Sequence, residues 1–444
     1  MISKERPERP VVVVGAGLAG LTCAAELVET GHAVLVLEAE REVGGRVRTE
    51  RHPEGFLIDR GFQILLTAYP AQRRQIDLAA LRPAAFDAGL LVWTGDRLVP
   101  LANPFRHPMA LARDLTSSVI PLADKLRLAR LGAEVLRAPW QSAAQAANER
   151  ADDRSTAEAL RARGFSAAFV DRIARSFWGG IFLDRSLATS EGAFLFTLKM
   201  FLLGQGVLPE AGVGALPAAL AARLPRSALR LGARVTGLVR EGDRVAGVRL
   251  GEEMIPAAAV VVAADPPAAR ELTGLHTIPT EPRGCVTVYL ASEGDPGIGK
   301  KLIIDGTGQA RVVNLAPLST VQQTYAPPGQ ALVAAVLLGD EALAADEATL
   351  RGWAVADVAR MLGQSEADWR VVQIVRLPFA LYAQPPGIHR RLPDVATGTF
   401  GLFLASDATV DASANGAILS GESAARAVRA AGPRVEGRGP RKEG

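Results

Sequence analysis

Val11-Val12-Val13-Val14-Gly15-Ala16-Gly17-Leu18-Ala19-Gly20-Leu21-Thr22-Cys23-Ala24-Ala25-Glu26-Leu27-Val28 is the stretch that decides the fold. Four β-branched residues with no polar break read as a strand buried on both faces. The glycines follow at once, and Leu21 to Val28 reads as a helix that ends near Gly31. A second strand, Ala33 to Leu37, runs into Glu38 and Ala39. The whole is a βαβ unit. Gly15 permits the tight turn, Gly17 lets a pyrophosphate approach the backbone, and Gly20 lets the helix pack close to the strand. Ala16, Leu18 and Ala19 complete a loop whose amide N–H groups, at a helix N-terminus, face an anion. Glu38 accepts two hydrogen bonds from a ribose diol and repels a 2′-phosphate, which leaves NAD or FAD as the dinucleotide. Lys4, Glu5, Arg6 and Arg9 ahead of an apolar run also resemble a secretion signal, but the patterned glycines and the second strand favour the βαβ reading.

Working outward, Gly44-Gly45-Arg46 allows a backbone bend against an anion, with Arg46 as a planar donor. Phe56-Leu57-Ile58-Asp59-Arg60-Gly61-Phe62-Gln63 follows. Near the other end, Leu402 to Ala405 reads as a buried strand with Ser406-Asp407 at its carboxyl end, and a helix starts near Asn415-Gly416-Ala417. On these residues the sequence resembles the FAD-dependent amine oxidase superfamily, which includes monoamine and polyamine oxidases, protoporphyrinogen oxidases and phytoene-type carotenoid desaturases. Gly15, Gly17, Gly20, Glu38, Gly44, Gly45 and Arg46 match its first motif. Asp407 matches the second, with Ser406 where a glycine is usual. The resemblance implies an α/β fold: a discontinuous Rossmann-type FAD-binding domain of glutathione-reductase type, from 1–100, 205–280 and 395–432, and an α+β substrate domain from 101–204 and 281–394. It implies non-covalent FAD, with Glu38 on the adenosine ribose, Asp407 near the ribityl–pyrophosphate region, and the N-terminus of the helix that begins near Asn415 to Ala417 aimed at the flavin C2 carbonyl. Gly61, Phe62 and Gln63 join the cofactor contacts, Gln63 reaching for the isoalloxazine edge. Val235 is either a backbone contact to adenine or a core valine.

A chain of 444 residues is too long for one ordinary core, which predicts two domains. A net charge of +3, with no dense Lys/Arg block outside the tail, argues against nucleic acid. Two cysteines, Cys23 and Cys285, with no CxxC or Cys/His cluster, exclude a disulfide framework and predict no metal site. This fits a cytoplasmic protein. No apolar run reaches membrane-spanning length. The tail, 433–444, is rich in Gly, Pro and charge and is expected to be disordered.

In the middle, Ala233–Val239, Arg244–Leu250 and Ala259–Asp265 read as an antiparallel set with a turn at Glu241-Gly242-Asp243. Ser155-Thr156-Ala157-Glu158 is a capping-box helix start. Val286–Leu290 and Ala331–Leu338 read as strands, and Leu350–Met361 as a helix. Phe177–Phe182 and Phe194–Leu203 either line an apolar cavity or form ordinary core. The segment Phe105–Trp140 places Leu122, Leu126, Ala129 and Ala133 on one helical face, with Lys125, Arg127, Arg130 and Arg137 elsewhere. This pattern suits peripheral membrane contact or a solvated helix.

Tyr382 and Gln63 are the catalytic candidates. Amine oxidases of the resembled superfamily usually stack two aromatics to cage the amine, and here only Tyr382 is placed for it. Lys300 and Lys301 are candidates for the family's lysine or, more simply, residues of a surface loop. The leading expectation is hydride transfer from a small apolar substrate to flavin N5. The alternatives are amine oxidation, flavin-dependent polyene isomerisation, and non-enzymatic binding of prenyl groups by the same fold.

Overall fold

The computed structural model describes residues 9–101 and 119–432. Lys4, Glu5 and Arg6, the beginning of the Phe105–Trp140 segment, and the tail 433–444 lie outside the described residues. A five-stranded sheet has the order Leu229–Arg230, Val34–Leu37, Val11–Val14, Ala259–Val262, Leu402–Leu404, with every pair parallel. Val11–Val14 is central and buried throughout, as an unbroken β-branched run requires. One face packs against two helices, Leu18–Glu29 and Ala414–Ala431, which cross so closely that a Cβ on Gly421 would lie 2.4 Å from the Ala19 carbonyl oxygen. The other face is covered by the antiparallel meander Gly237–Glu241, Arg244–Leu250, Glu253–Pro256.

Two strand readings are corrected here. Ala259–Val262 is not the third strand of the meander. It pairs in parallel with Val11–Val14, because Ala-Val-Val-Val has no polar face and is buried on both sides. Glu253–Pro256, more exposed, takes the antiparallel place. The strand expected over Ala233–Val239 begins only at Gly237, since Gly232 and Ala233 donate to the carbonyls of Glu40 and Glu38 instead.

A second sheet has seven strands in the order Arg370–Tyr382, Pro282–Glu293, Gln330–Leu338, Val312–Ala316, Leu302–Asp305, Leu90–Trp93, Leu98–Leu101. All pairs are antiparallel except Leu302–Asp305 with Leu90–Trp93. Leu90–Trp93 and most of Leu98–Leu101, up to Pro100, grouped with the first domain from sequence, therefore belong to this sheet. The pairing joins strands far apart in the chain, and no local signal announces it. The outer face is covered by the helix Glu347–Leu362, capped by the Asp346 side chain and by Gly363 at φ +65°. The inner face meets Arg175–Phe182 and Glu191–Leu203.

The helical layer also contains Leu122–Arg137, Ala143–Asn148 and Thr156–Ala162, the last with the expected Ser155/Glu158 capping box. Glu191–Leu203 is buried almost to its end, and its Lys199 ammonium reaches the Ala138 and Trp140 carbonyls just past Leu122–Arg137. A cation there satisfies carbonyls that a helix end leaves open. Burial lowers the Lys199 pKa, with Glu149 acting against that shift.

Candidate functional site

The loop after Val14 is built as the glycine spacing demands. Gly15 has φ +110°, and a Cβ on it would sit 2.6 Å from the Ala263 carbonyl oxygen. A Cβ on Gly20 would lie 2.1 Å from the Gly15 carbonyl oxygen. At Gly17 a Cβ would meet nothing within 4 Å, so this side of the loop is open. Gly17 caps the helix Leu18–Glu29 without a side-chain bond, and the first turn holds no acid. Its field is therefore free to act on an anion.

Glu38, 7% exposed, accepts from Ala16 N at 2.7 Å and from Glu40 N at 2.9 Å. It holds the glycine loop in shape, and a carboxylate keeps lone pairs beyond the two that these amides use. Ala39 beside it is half-buried. Val235 is half-buried too, between the Ala233–Glu38 and Thr236–Arg249 backbone bonds.

Gly44 N donates to Ala16 O, and a Cβ on Gly45, at φ +59°, would stand 3.6 Å from Gly17 Cα, so the two glycine turns meet. Arg46 reaches across the molecule: Nη2 lies 2.8 Å from Asp407 Oδ2, and Nη1 donates to Ala380 O at 3.1 Å. Burial works against the Arg46 charge, but the Asp407 carboxylate outweighs it and raises the guanidinium's pKa. Ser406 fits in place of glycine because its hydroxyl accepts from Ala408 N and donates to Asp407 Oδ1, while its own amide donates to Ser420 Oγ.

The helix Ala414–Ala431 starts beside this pair. Gly416 N donates to Ser413 Oγ and Ala417 N to Ser413 O, so these two amides are already bonded, and the helix end offers Ala414 and Asn415 in their place. The Asn415 side chain ties Ala71 N (3.0 Å) to Gln141 O (2.9 Å) and is held in position by both. Gln63 Nε2 donates to the carbonyls of Arg46 and Arg60, so it shapes the arginine loop. Gly61 has φ +78°, and Phe62 N donates to Thr287 Oγ1 on the second sheet at 3.3 Å. Tyr382 is buried, and its hydroxyl donates to Asp407 O at 3.2 Å. That makes it a support for the Asp407 backbone and not the wall of an amine cage. Lys300 is exposed in a turn and Lys301 lies 3.8 Å from Asp87, as the surface-loop reading expected.

Two buried carboxylates were not singled out from sequence. Asp411 accepts from Ala143 N (2.9 Å) and the Ser413 hydroxyl, linking the cofactor helix to Ala143–Asn148; burial pushes its pKa up to about 6 against those hydrogen bonds. Asp59 accepts from Thr49 Oγ1 (2.5 Å), Tyr325 Oη (2.7 Å) and Val213 N (3.1 Å), and its carbonyl accepts from Tyr289 Oη (2.8 Å). It joins the arginine-loop segment to the second sheet. Only its place just before Arg60-Gly61 hinted at a role.

Burial pushes Asp59 up to about 6, opposed by its three hydrogen bonds. Between the ordinary carboxylate range and about pH 6 the folded state thus holds more protons than the unfolded one, so stability falls as pH rises through that window. Asp59→Asn removes this part of the slope. The urea midpoint near about pH 7, relative to that near about pH 4, is expected to be higher in the variant than in the wild type; an unchanged difference assigns the slope to other groups.

Among the described residues no group of His, Cys, Asp and Glu could hold a metal ion. Cys23 and Cys285 are free and buried, and burial pushes the Cys285 thiol up to about 11, so neither is a nucleophile at neutral pH.

The site therefore unites an open glycine loop, a buried glutamate that braces it, an arginine on a carboxylate from the far end of the chain, and a second helix N-terminus. A dinucleotide whose pyrophosphate meets Gly17 and whose far end meets Asp407 fits this cradle. Hydroxysqualene dehydroxylase of Rhodopseudomonas palustris is 27% identical over 96% of this chain and 99% of its own. Phytoene dehydrogenase of Streptomyces griseus is 31% identical over 62% of this chain, and the match spans 58% of that longer relative. An oxidoreductase from Methanosarcina mazei has the same fold, with a TM-score of 0.73 at 17% identity, covering 93% of this chain and 99% of that one. The family model described as flavin containing amine oxidoreductase matches residues 18–429, and with both motifs meeting in one cradle the chain belongs to that family of oxidoreductases, with FAD as its cofactor.

Proposed function

We propose that the protein removes hydride from a C–H bond of a small, mostly apolar substrate, in a desaturase-, dehydrogenase- or oxidase-type reaction. The observation that carries this reading is the bond from Phe62 N to Thr287, which sets the cofactor loop against the inner face of the second sheet. That face and the helices over it present half-buried apolar side chains, among them Ile64, Phe177, Ile181, Phe201 and Leu302. FAD, when bound, supplies the two-electron acceptor for the C–H bond. The chain supplies orientation, exclusion of water and backbone donors. Phe177–Phe182 and Phe194–Leu203 contribute partly as expected core: Trp178, Phe182, Phe194 and Phe196 are buried, while Phe177, Ile181 and Phe201 stay half-open. Two surface depressions of about 550 and 540 Å³ are lined by charged residues such as Asp152, Arg154 and Arg161 and do not suit an apolar molecule. The relatives named for phytoene and hydroxysqualene support an apolar substrate.

The test is anaerobic mixing of the FAD-loaded protein with phytoene, squalene or putrescine while the visible flavin band is followed. Bleaching by a hydrocarbon supports the reading. Bleaching by putrescine alone replaces it with amine oxidation, and polyene isomerisation without net bleaching replaces it with an isomerase.

The helix Leu122–Arg137 supports a membrane surface as the source of such a substrate. Its buried side is Asp124, Leu131, Gly132 and Val135, and Leu122 and Leu126 are 53% and 64% exposed. No described helix is long and apolar enough to cross a membrane. An exposed apolar face flanked by Arg130 and Arg137 suits the surface of an anionic bilayer. Replacing Leu122 and Leu126 together by Asp is expected to lower co-flotation with anionic vesicles several-fold while FAD content stays at the wild-type level; undiminished flotation removes this helix as the contact.

A further inference from the structure

Among the described residues, the inner face of the second sheet carries one buried side-chain oxygen with no hydrogen-bond partner. Cross-strand pairing sets Val92, Ile304, Asn314, Val336, Thr287 and Val375 in one row. Val92 and Ile304 belong to the same apolar cluster as Trp178 and Phe182, which places the row on the side facing the helices. Thr287 has its partner in Phe62 N. Asn314 is only 5% exposed, and its side-chain oxygen has no hydrogen-bond partner.

Buried amide oxygens are nearly always paired, because leaving one open forfeits the hydrogen bond it would make with water. The fold also makes room for this amide. The helix Arg175–Phe182 passes over it at Gly180, where a Cβ would come within 2.4 Å of Asn314 Nδ2. Phe177 and Ile181 on the same helix are half-buried apolar neighbours. Asn314 stands two strands from Thr287, about 10 Å at the usual strand spacing. That distance puts it within one small molecule's length of the loop that meets the cofactor.

Resting on the apolar-substrate reading above, we propose that Asn314 is the specificity-determining residue of the apolar wall between this sheet and the helices and selects a mostly apolar substrate bearing a hydroxyl group some distance from the reacting C–H bond. An open acceptor calls for a donor on the ligand, and a hydroxyl is the neutral donor that an otherwise apolar wall accepts. A ligand without it leaves the amide unpaired, so the site discriminates by what it fails to satisfy.

The test compares geranylgeraniol with the hydrocarbon of the same chain length and unsaturation, titrated into the FAD-loaded protein and followed by the visible flavin spectrum. The alcohol is expected to bind roughly tenfold to a hundredfold tighter than the hydrocarbon. Asn314→Leu is expected to erase that preference, and Gly180→Ala to weaken it by displacing the amide, with FAD content as the check that each variant is folded. Equal affinity of the wild-type protein for the two ligands overturns the inference, with or without the variants. So does a preference that survives Asn314→Leu. If neither ligand binds the FAD-loaded protein while putrescine does, the apolar-substrate reading itself has failed, an outcome distinct from equal binding.

Discussion

Gly17→Ala is expected to fold normally and lose FAD, while Gly20→Ala, three residues on, is expected to lose stability first. A methyl on Gly17 meets nothing within 4 Å in the protein, and the residue caps the helix in an ordinary extended conformation. Stability should therefore stay within about 1 kcal/mol of the wild type. The methyl does occupy the side on which a pyrophosphate would approach, and loss of one or two charge-assisted bonds raises the Kd for FAD roughly a hundredfold. At Gly20 the methyl meets the Gly15 carbonyl oxygen at 2.1 Å and Ala263 Cβ at 3.0 Å, both inside the packed core of the first domain. Backbone cannot yield there as a flexible side chain would, and roughly 3 kcal/mol of stability should be lost. Urea unfolding and flavin titration on the same two variants separate the effects. If Gly17→Ala keeps full FAD affinity, the open side of the loop is not the phosphate site.

Asp407→Ala should weaken both the fold and the cofactor site. Asp407 is almost fully buried and holds Arg46, whose side chain is 32% exposed. Removing one partner of a wholly buried pair costs roughly 3–5 kcal/mol. Because solvent reaches Arg46, about 2 kcal/mol is the better expectation here. The Ser406 hydroxyl loses an acceptor too. Asp407→Asn keeps the shape and a neutral acceptor and should lose about half as much. FAD affinity should follow the same order, because the Gly45–Arg46 bend depends on where the guanidinium is anchored. An Asp407→Ala protein with wild-type stability and normal flavin content would show that the pairing of the two chain ends is incidental.

Both experiments probe the part of the site that was legible in the sequence. Gly15, Gly17, Gly20, Glu38, Gly44, Gly45 and Arg46 lie within one short stretch, and each residue type answers a local requirement: a positive φ, a close approach, an acceptor. What was less legible depended on pairing across the chain. The strand Ala259–Val262 has the composition of a central parallel strand, yet its neighbour is Val11–Val14, and following a hairpin it was read as part of that hairpin's sheet. Leu90–Trp93 pairs with Leu302–Asp305, a partner that no local pattern names. Tyr382 looked like a catalytic aromatic by position, and its hydroxyl turned out to support the Asp407 carbonyl. Asp59, Asp411 and Asn314 carry no motif, and their interest lies in burial and in the partners they have or lack.

Taken alone, then, the amino-acid order determined the nucleotide loop, the glutamate that closes it and the kind of sheet they sit on, because turn sterics and β-branched burial act over a few residues. Only the tertiary structure decided that Arg46 meets Asp407, that Thr287 receives the cofactor loop, and that an unpaired amide faces an apolar wall. These depend on which distant strands lie side by side, and that choice is made by burial of the whole chain rather than by any segment of it.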